Sequence, residues 1–119
     1  MELNLESWES GEVAVVYCRG RMVYREEAAA VLRVVEQALL HSKEVVLDLT
    51  QVENIDSAGL GGLVVIHRSA AMQGKALKIV GANRWVRDLF DLTNLSSVFE
   101  MYPNLAAAID PVDGWASVI

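Results

Sequence analysis

Ile55-Asp56-Ser57-Ala58-Gly59-Leu60-Gly61-Gly62 follows the apolar run Val45-Val46-Leu47-Asp48-Leu49 and opens into Leu63-Val64-Val65-Ile66-His67. A short apolar run, a polar pair and a longer apolar stretch read as a strand, a turn and the start of a helix. An aspartate and a serine therefore stand at a helix N-terminus, where peptide N–H groups lack partners. Ser57 or Asp56 can cap those groups, and the free amides favour an anion such as phosphate. Sheets built from parallel strands place sites beyond the strands' C-terminal ends, and Ser57 falls at such an end.

The flanking chain fits one domain. With 119 residues, 53% of them apolar, it is long enough for a single core and too short for two. Leu3 and Leu5 alternate with Asn4 and Glu6, and Glu9-Ser10-Gly11 is turn chemistry before Val13-Ala14-Val15-Val16-Tyr17-Cys18, which predicts a β-hairpin. The second run and Val45 to Leu49 are apolar on both faces, as central strands covered from two sides are. Between them Ala28, Leu32, Val35 and Leu39 form one stripe, predicting an amphipathic helix from Arg25 to about His41 and a parallel crossover. After the Ser57 turn, helical projection places Leu60, Leu63, Val64, Ala70 and Ala71 on the core face. Gly74 then stops the helix, Lys75 to Val80 is a strand, and Asn83 caps a helix that buries Val86, Leu89 and Phe90. Val98 to Met101 is a last short strand, and Pro103-Asn104-Leu105 opens a short helix. The expected architecture is α/β, a mixed four- to five-stranded sheet with packed helices, over residues 1–110. Residues 111–119, with Trp115, read as a C-terminal tail.

Charge and motif spacing exclude several functions. Sixteen acidic against ten basic residues give a net charge of −6, which opposes nucleic acid and anionic lipid as direct partners. The N-terminal residues lack a basic signal region, and the longest apolar run, Gly59 to Ile66, is far short of the ~20 residues that span a bilayer. A cytoplasmic location is expected. Cys18 is the only cysteine, so it forms no internal disulfide and reads as a small core hydrophobe. As a nucleophile Ser57 would need a base and an oxyanion hole. Ile55 stands where the G-x-S-x-G elbow needs glycine, His67 reads as a partly buried hydrogen-bonded residue, and His41 as a polar helix end. Two separated histidines without cysteine partners make no metal site. Val64 breaks the G-x-G-x-x-G pattern, and no lysine follows to make a P-loop. The glycines instead suit a tight turn at Gly59 and close helix-to-sheet packing at Gly61 or Gly62. No catalysis and no cofactor or metal are expected.

The order Val-Val-Leu-Asp-Leu, Asp-Ser-Ala-Gly-Leu-Gly, then Lys78-Ile79-Val80-Gly81 and Val86-Arg87-Asp88-Leu89-Phe90-Asp91-Leu92-Thr93-Asn94-Leu95 resembles the STAS domain, from Leu3 to Ile109. The resemblance is to its bacterial anti-sigma-factor antagonists. It implies the STAS fold and a partner switch in signalling to transcription. An unphosphorylated antagonist binds an anti-sigma factor that is also a serine kinase, which frees a sigma factor; phosphorylation ends the binding and a PP2C-type phosphatase restores it. The resemblance places the phosphoacceptor at Ser57, and Ala58 leaves no neighbouring hydroxyl. It gives Asp56 the positioning of the loop and contact with the kinase, and Gly59, Leu60 and Gly61 the shaping of the docking surface. Asn94 stands where the family usually has glycine, and Arg21-Met22-Val23-Tyr24 where antagonists commonly carry an acidic residue. Val65, Ile66 and Met72 lie off the predicted core stripe, either covered by another element or part of a partner-binding patch, to which Ile66 is assigned. The alternative is a constitutive STAS binding subunit of a membrane transport assembly, such as a lipid ABC-type system, or of a larger signalling complex. The oligomeric state is open at this level.

Overall fold

The computed structural model describes residues 3–23 and 25–109. Tyr24 and the expected tail from Asp110, with Trp115, lie outside them. The elements run β1 (Leu3–Ser10), β2 (Val13–Met22), α1 (Arg25–Leu39), β3 (Glu44–Ile55), α2 (Ser57–Met72), β4 (Ala76–Val80), α3 (Arg84–Leu92), β5 (Glu100–Tyr102) and α4 (Leu105–Ile109). They form one five-stranded sheet of order β1-β2-β3-β4-β5, with β1 antiparallel to β2 and all other pairs parallel.

This order dictates the layering. Each crossover from β2 to β5 moves one strand in the same direction, and crossovers of one hand then lay α1, α2 and α3 on one face of the sheet. The main core lies there, with Ala14, Val16 and Cys18 of β2, Val45, Leu47 and Leu49 of β3 and Ile79 of β4 meeting Val31, Val35, Leu63, Ile66, Val86 and Phe90 from the helices. Among the described residues the opposite face has only α4, whose Ala108 closes a small cluster with Val15, Val46 and Val80. Lys78 pins it there. Its ammonium donates to the Ala108 carbonyl at 2.8 Å and pairs with Glu44 at 2.9 Å, beneath the Tyr102 ring. Among the described residues a groove beside α4 is lined by Trp8, Tyr17, Arg19, Asp48, Leu105 and Ile109. Both runs expected to be central do lie inside the sheet, but among the described residues β2 is covered on its second face only near Val15, and Tyr17 is 38% exposed.

The hairpin, the first helix and the caps follow the sequence. Asn83 accepts from the Val86 amide at 2.8 Å, and Asn94 ends α3 at a φ of 60°, a left-handed conformation that asparagine tolerates. Cys18 is 2% exposed. Burial, aided by the charge of Asp48, pushes its thiol up to about 12. Glu27 is a departure: it is 1% exposed in the first turn of α1, a helix end that favours negative charge.

Predicted strand boundaries move, and the last strand runs Glu100–Tyr102 where Val98 to Met101 was expected. The third strand extends to Ile55, because β2 also continues past its apolar run and pairs with it as far as Met22 opposite Ile55, through two register shifts. β4 pairs only with Glu44 to Asp48, so the second half of β3 overhangs the sheet beside β2 and carries the Ser57 turn on its end.

The core stripe of α2 is rotated from the expected one. Gly59, Leu60, Leu63, Ile66 and Ala70 are buried, whereas Val64 is 37% exposed and Ala71 is exposed. Ile66 is fully buried among the core side chains, which corrects its expected place on a partner-binding patch: no part of it reaches the surface. Val65 and Met72 are exposed, at 50% and 82%.

Candidate functional site

The site is the junction of β3 and α2. Asp56 has extended backbone, with φ −102° and ψ −174°, and its Oδ1 accepts from the Gly59 amide at 2.9 Å while its carbonyl accepts from the Leu60 amide at 2.9 Å. Asp56 is thus the N-cap, and Ser57 is the first helical residue. Because the cap satisfies the third amide of the helix, those of Ser57 and Ala58 remain open at its positive end. Ser57 is exposed, and its hydroxyl makes no hydrogen bond among the described residues.

Three glycines in this turn have three different surroundings. A methyl on Gly59 would overlap the carbonyl oxygen of Met22, the last residue of β2, which also accepts from the Asp56 amide at 3.4 Å. Gly59 therefore serves close packing of α2 on the strand end, where the sequence suggested a tight turn. A methyl on Gly62 would stand 2.5 Å from the Ala28 side chain of α1, so this contact is helix to helix rather than helix to sheet. Gly61 is different. It is exposed, and a methyl there would meet no atom within 4 Å. Gly59 and Leu60, the latter 6% exposed, shape the first turn from beneath; of the three residues expected to form the docking surface, only Gly61 presents itself to solvent. Ser57 and Gly61 are one helical turn apart and share a face, which continues through Val64, Val65 and Arg68.

The strand end is braced from the other side by α3. The Asn83 amide donates to the Val52 and Glu53 carbonyls at 3.1 and 3.3 Å, and the Trp85 indole donates to Asn54 Oδ1 at 2.9 Å. Trp85 is 63% exposed. Sequence reasoning passed over it; the available signal was a tryptophan on the polar side of an otherwise regular amphipathic helix.

Neither histidine hydrogen-bonds Ser57. His67 is half-buried with its ring edge-on to Phe99, centroids 5.2 Å apart, and His41 is exposed just past the end of α1. Among the described residues no three His, Cys, Asp or Glu side chains are grouped to hold a metal, and no helix is long and apolar enough to cross a membrane. The arrangement presents a serine hydroxyl, flanked by a carboxylate, on a braced helix start.

Residues 4–108 match the STAS domain, and the chain belongs to that family. A Thermotoga neapolitana protein named as a candidate anti-sigma factor antagonist is 32% identical over 71 residues, 60% of this chain and 63% of that protein. The chain thus spans under two thirds of the length of that curated relative. In fold it is similar to an anti-sigma factor antagonist from Mycobacterium paratuberculosis, with TM-score 0.81 and 23% identity over 93% of this chain and 94% of the other. It is also similar to the unphosphorylated anti-sigma factor antagonist SpoIIAA, with TM-score 0.74 and 18% identity over 94% and 96%.

Proposed function

We propose that this chain is a non-enzymatic, cytoplasmic anti-sigma-factor antagonist whose binding is switched off by phosphorylation of Ser57. The observation that carries the reading is the division of labour at the helix start: Asp56 caps α2, so the exposed Ser57 hydroxyl is not needed by the fold. A kinase can take it without unfolding anything. The names of the relatives point the same way. The partners are an anti-sigma factor with serine kinase activity and, for reversal, a PP2C-type phosphatase; Asp56 lies within the kinase contact.

Gly61 supports a docking surface at this place. Glycine inside a helix is less favourable than alanine by about 1 kcal/mol. Nothing among the described residues requires it at position 61, which supports a bare backbone kept for the close approach of another molecule.

Magnitudes favour control of docking over control of folding. A phosphate on the first helical residue gains about 0.3–1 kcal/mol from the helix N-terminus. Repulsion by neighbouring Asp56 at an exposed site is of comparable size, so stability hardly changes. Pressed into an interface, the same dianion beside Asp56 costs several kcal/mol, and each ~1.4 kcal/mol is tenfold in affinity.

The test is intact-mass analysis of the protein from its native host, with peptide mapping across Ile55 to Arg68, together with binding by Ser57→Asp. A phosphate on Ser57 that varies with growth conditions, and a Ser57→Asp variant that melts like the wild type but no longer binds its partner, are expected. Absence of phosphate under all conditions, with a partner held equally by Ser57→Asp, would refute the switch and turn the assignment to a constitutive subunit.

A further inference from the structure

The apolar stripe of α3 is complete without Trp85, since Val86 and Phe90 are fully buried and Leu89 packs beside them. Trp85 instead stands 63% exposed, leaving a large aromatic surface in water. It is nevertheless held in place. Its indole N–H is bound to Asn54, two residues before Asp56, and Asn83 ties the start of α3 to the backbone of the same strand end. Asn54 is three residues from Ser57, and three residues of extended chain reach about 10 Å. Ring and acceptor serine therefore fall within the breadth of one protein interface, which covers roughly 800 Å² on each partner.

We propose that Trp85 is an anchor of the surface that docks the partner of Ser57, entering an apolar pocket on that partner. The inference rests on the reading of Ser57 as a phosphorylation switch. The occupant is the anti-sigma factor that the reading of Ser57 already requires, since Asn54, which holds the ring, lies at the end of the strand that carries the Ser57 turn. Ordering the ring before contact removes part of the cost of binding, and tryptophans of this kind dominate interface energetics. Exposed Arg84 and Arg87 lie on either side of it in sequence and make no ion pair among the described residues. Asp88 on the helix and Glu53 and Asp56 on the strand end offset them, so the rim around the ring carries charges of both signs.

The experiment starts from a kinase that the immobilised chain retains from native-host extract and that phosphorylates Ser57 with ATP. Its affinity is measured for the wild type, Ser57→Asp, Trp85→Ala, Trp85→Phe and Asn54→Ala. Trp85→Ala should weaken binding about tenfold or more while melting falls by no more than about 5 °C, the scale of one lost hydrogen bond, Trp85→Phe less, and Asn54→Ala by a smaller factor because the ring remains but is no longer oriented. In a Trp8→Phe/Trp115→Phe background, Trp85 is the sole indole, and its emission should shift to the blue when the kinase binds. Unchanged affinity in Trp85→Ala, with Ser57→Asp still abolishing binding, would overturn the anchor and leave the switch standing. If Ser57→Asp also binds normally, or no retained protein phosphorylates Ser57, the switch falls and the anchor with it.

Discussion

Replacing Gly61 with alanine separates what the fold needs at this position from what a partner needs. The added methyl meets no atom within 4 Å, so no steric cost opposes the gain in helix propensity. That gain is about 0.5–1 kcal/mol. Urea unfolding followed by circular dichroism should show a higher midpoint at unchanged slope, and melting should rise by about 2–6 °C. Affinity should move the other way. A methyl pressed into an interface that closes on bare helix backbone costs roughly 1–3 kcal/mol, about tenfold or more in the dissociation constant by titration calorimetry. Gly59→Ala is the matched control, since its methyl overlaps the Met22 carbonyl and should lower stability by about 1–3 kcal/mol. If Gly61→Ala lost stability, the open surroundings of that residue would be wrong. If it gained stability and bound the partner as well as the wild type does, the argument that the glycine serves docking would be refuted.

Ile66→Lys places an unpaired charge in the core and should destabilise the protein by about 3–5 kcal/mol, whereas Val65→Lys, at a half-exposed position, should stay within about 0.5 kcal/mol; equal urea midpoints for the two would mean that α2 presents another face. Cys18 should resist a water-soluble thiol reagent at pH 8 until the chain is unfolded in urea, and rapid labelling of the native protein would contradict its burial. Burial holds the folded thiol up at about 12, against 9.0 for the free group, so the unfolded chain loses this proton first as pH rises. Stability should therefore fall between pH 9 and 12, and Cys18→Ala should remove that part of the slope. Lys78→Met removes both the hydrogen bond to the Ala108 carbonyl and the pair with Glu44, and hydrogen exchange in residues 105–109 should accelerate while α2 amides keep their protection.

Much of this architecture was legible because local signals agreed with one another. The runs at Val13 and Val45, the stripe Ala28, Leu32, Val35 and Leu39, and the caps at Asn83 and Asn94 each pointed to the element found. The face of α2 was misread for a physical reason. From Leu60 to Ile66 the helix carries only glycine and aliphatic residues, so periodicity offers little contrast between faces. Packing against α1, through Gly62 on Ala28, and against Phe99 selects the face that buries Ile66. The overhang of β3 was likewise hidden, since Thr50, Gln51 and Glu53 look like loop residues until β2 is seen to pair beside them. At the site, the Asp-Ser pair announced the helix start, but only coordinates decide that Asp56 caps and Ser57 does not. Trp85 escaped because its role depends on Asn54, 31 residues earlier, and no local pattern links the two.

The contact between Gly59 and the Met22 carbonyl has a bearing on time as well as on shape. It fixes the first turn of α2 to the end of β2, with the Asp56 cap already made, so Ser57 is displayed without any prior rearrangement. A modification there has no slow folding coordinate to cross in either direction. The response time of the switch proposed above would then be set outside the chain, by the turnover of the enzymes that add and remove the mark and by the lifetime of the complex it dissolves. A switch so built would keep no memory of its previous state once the mark is gone.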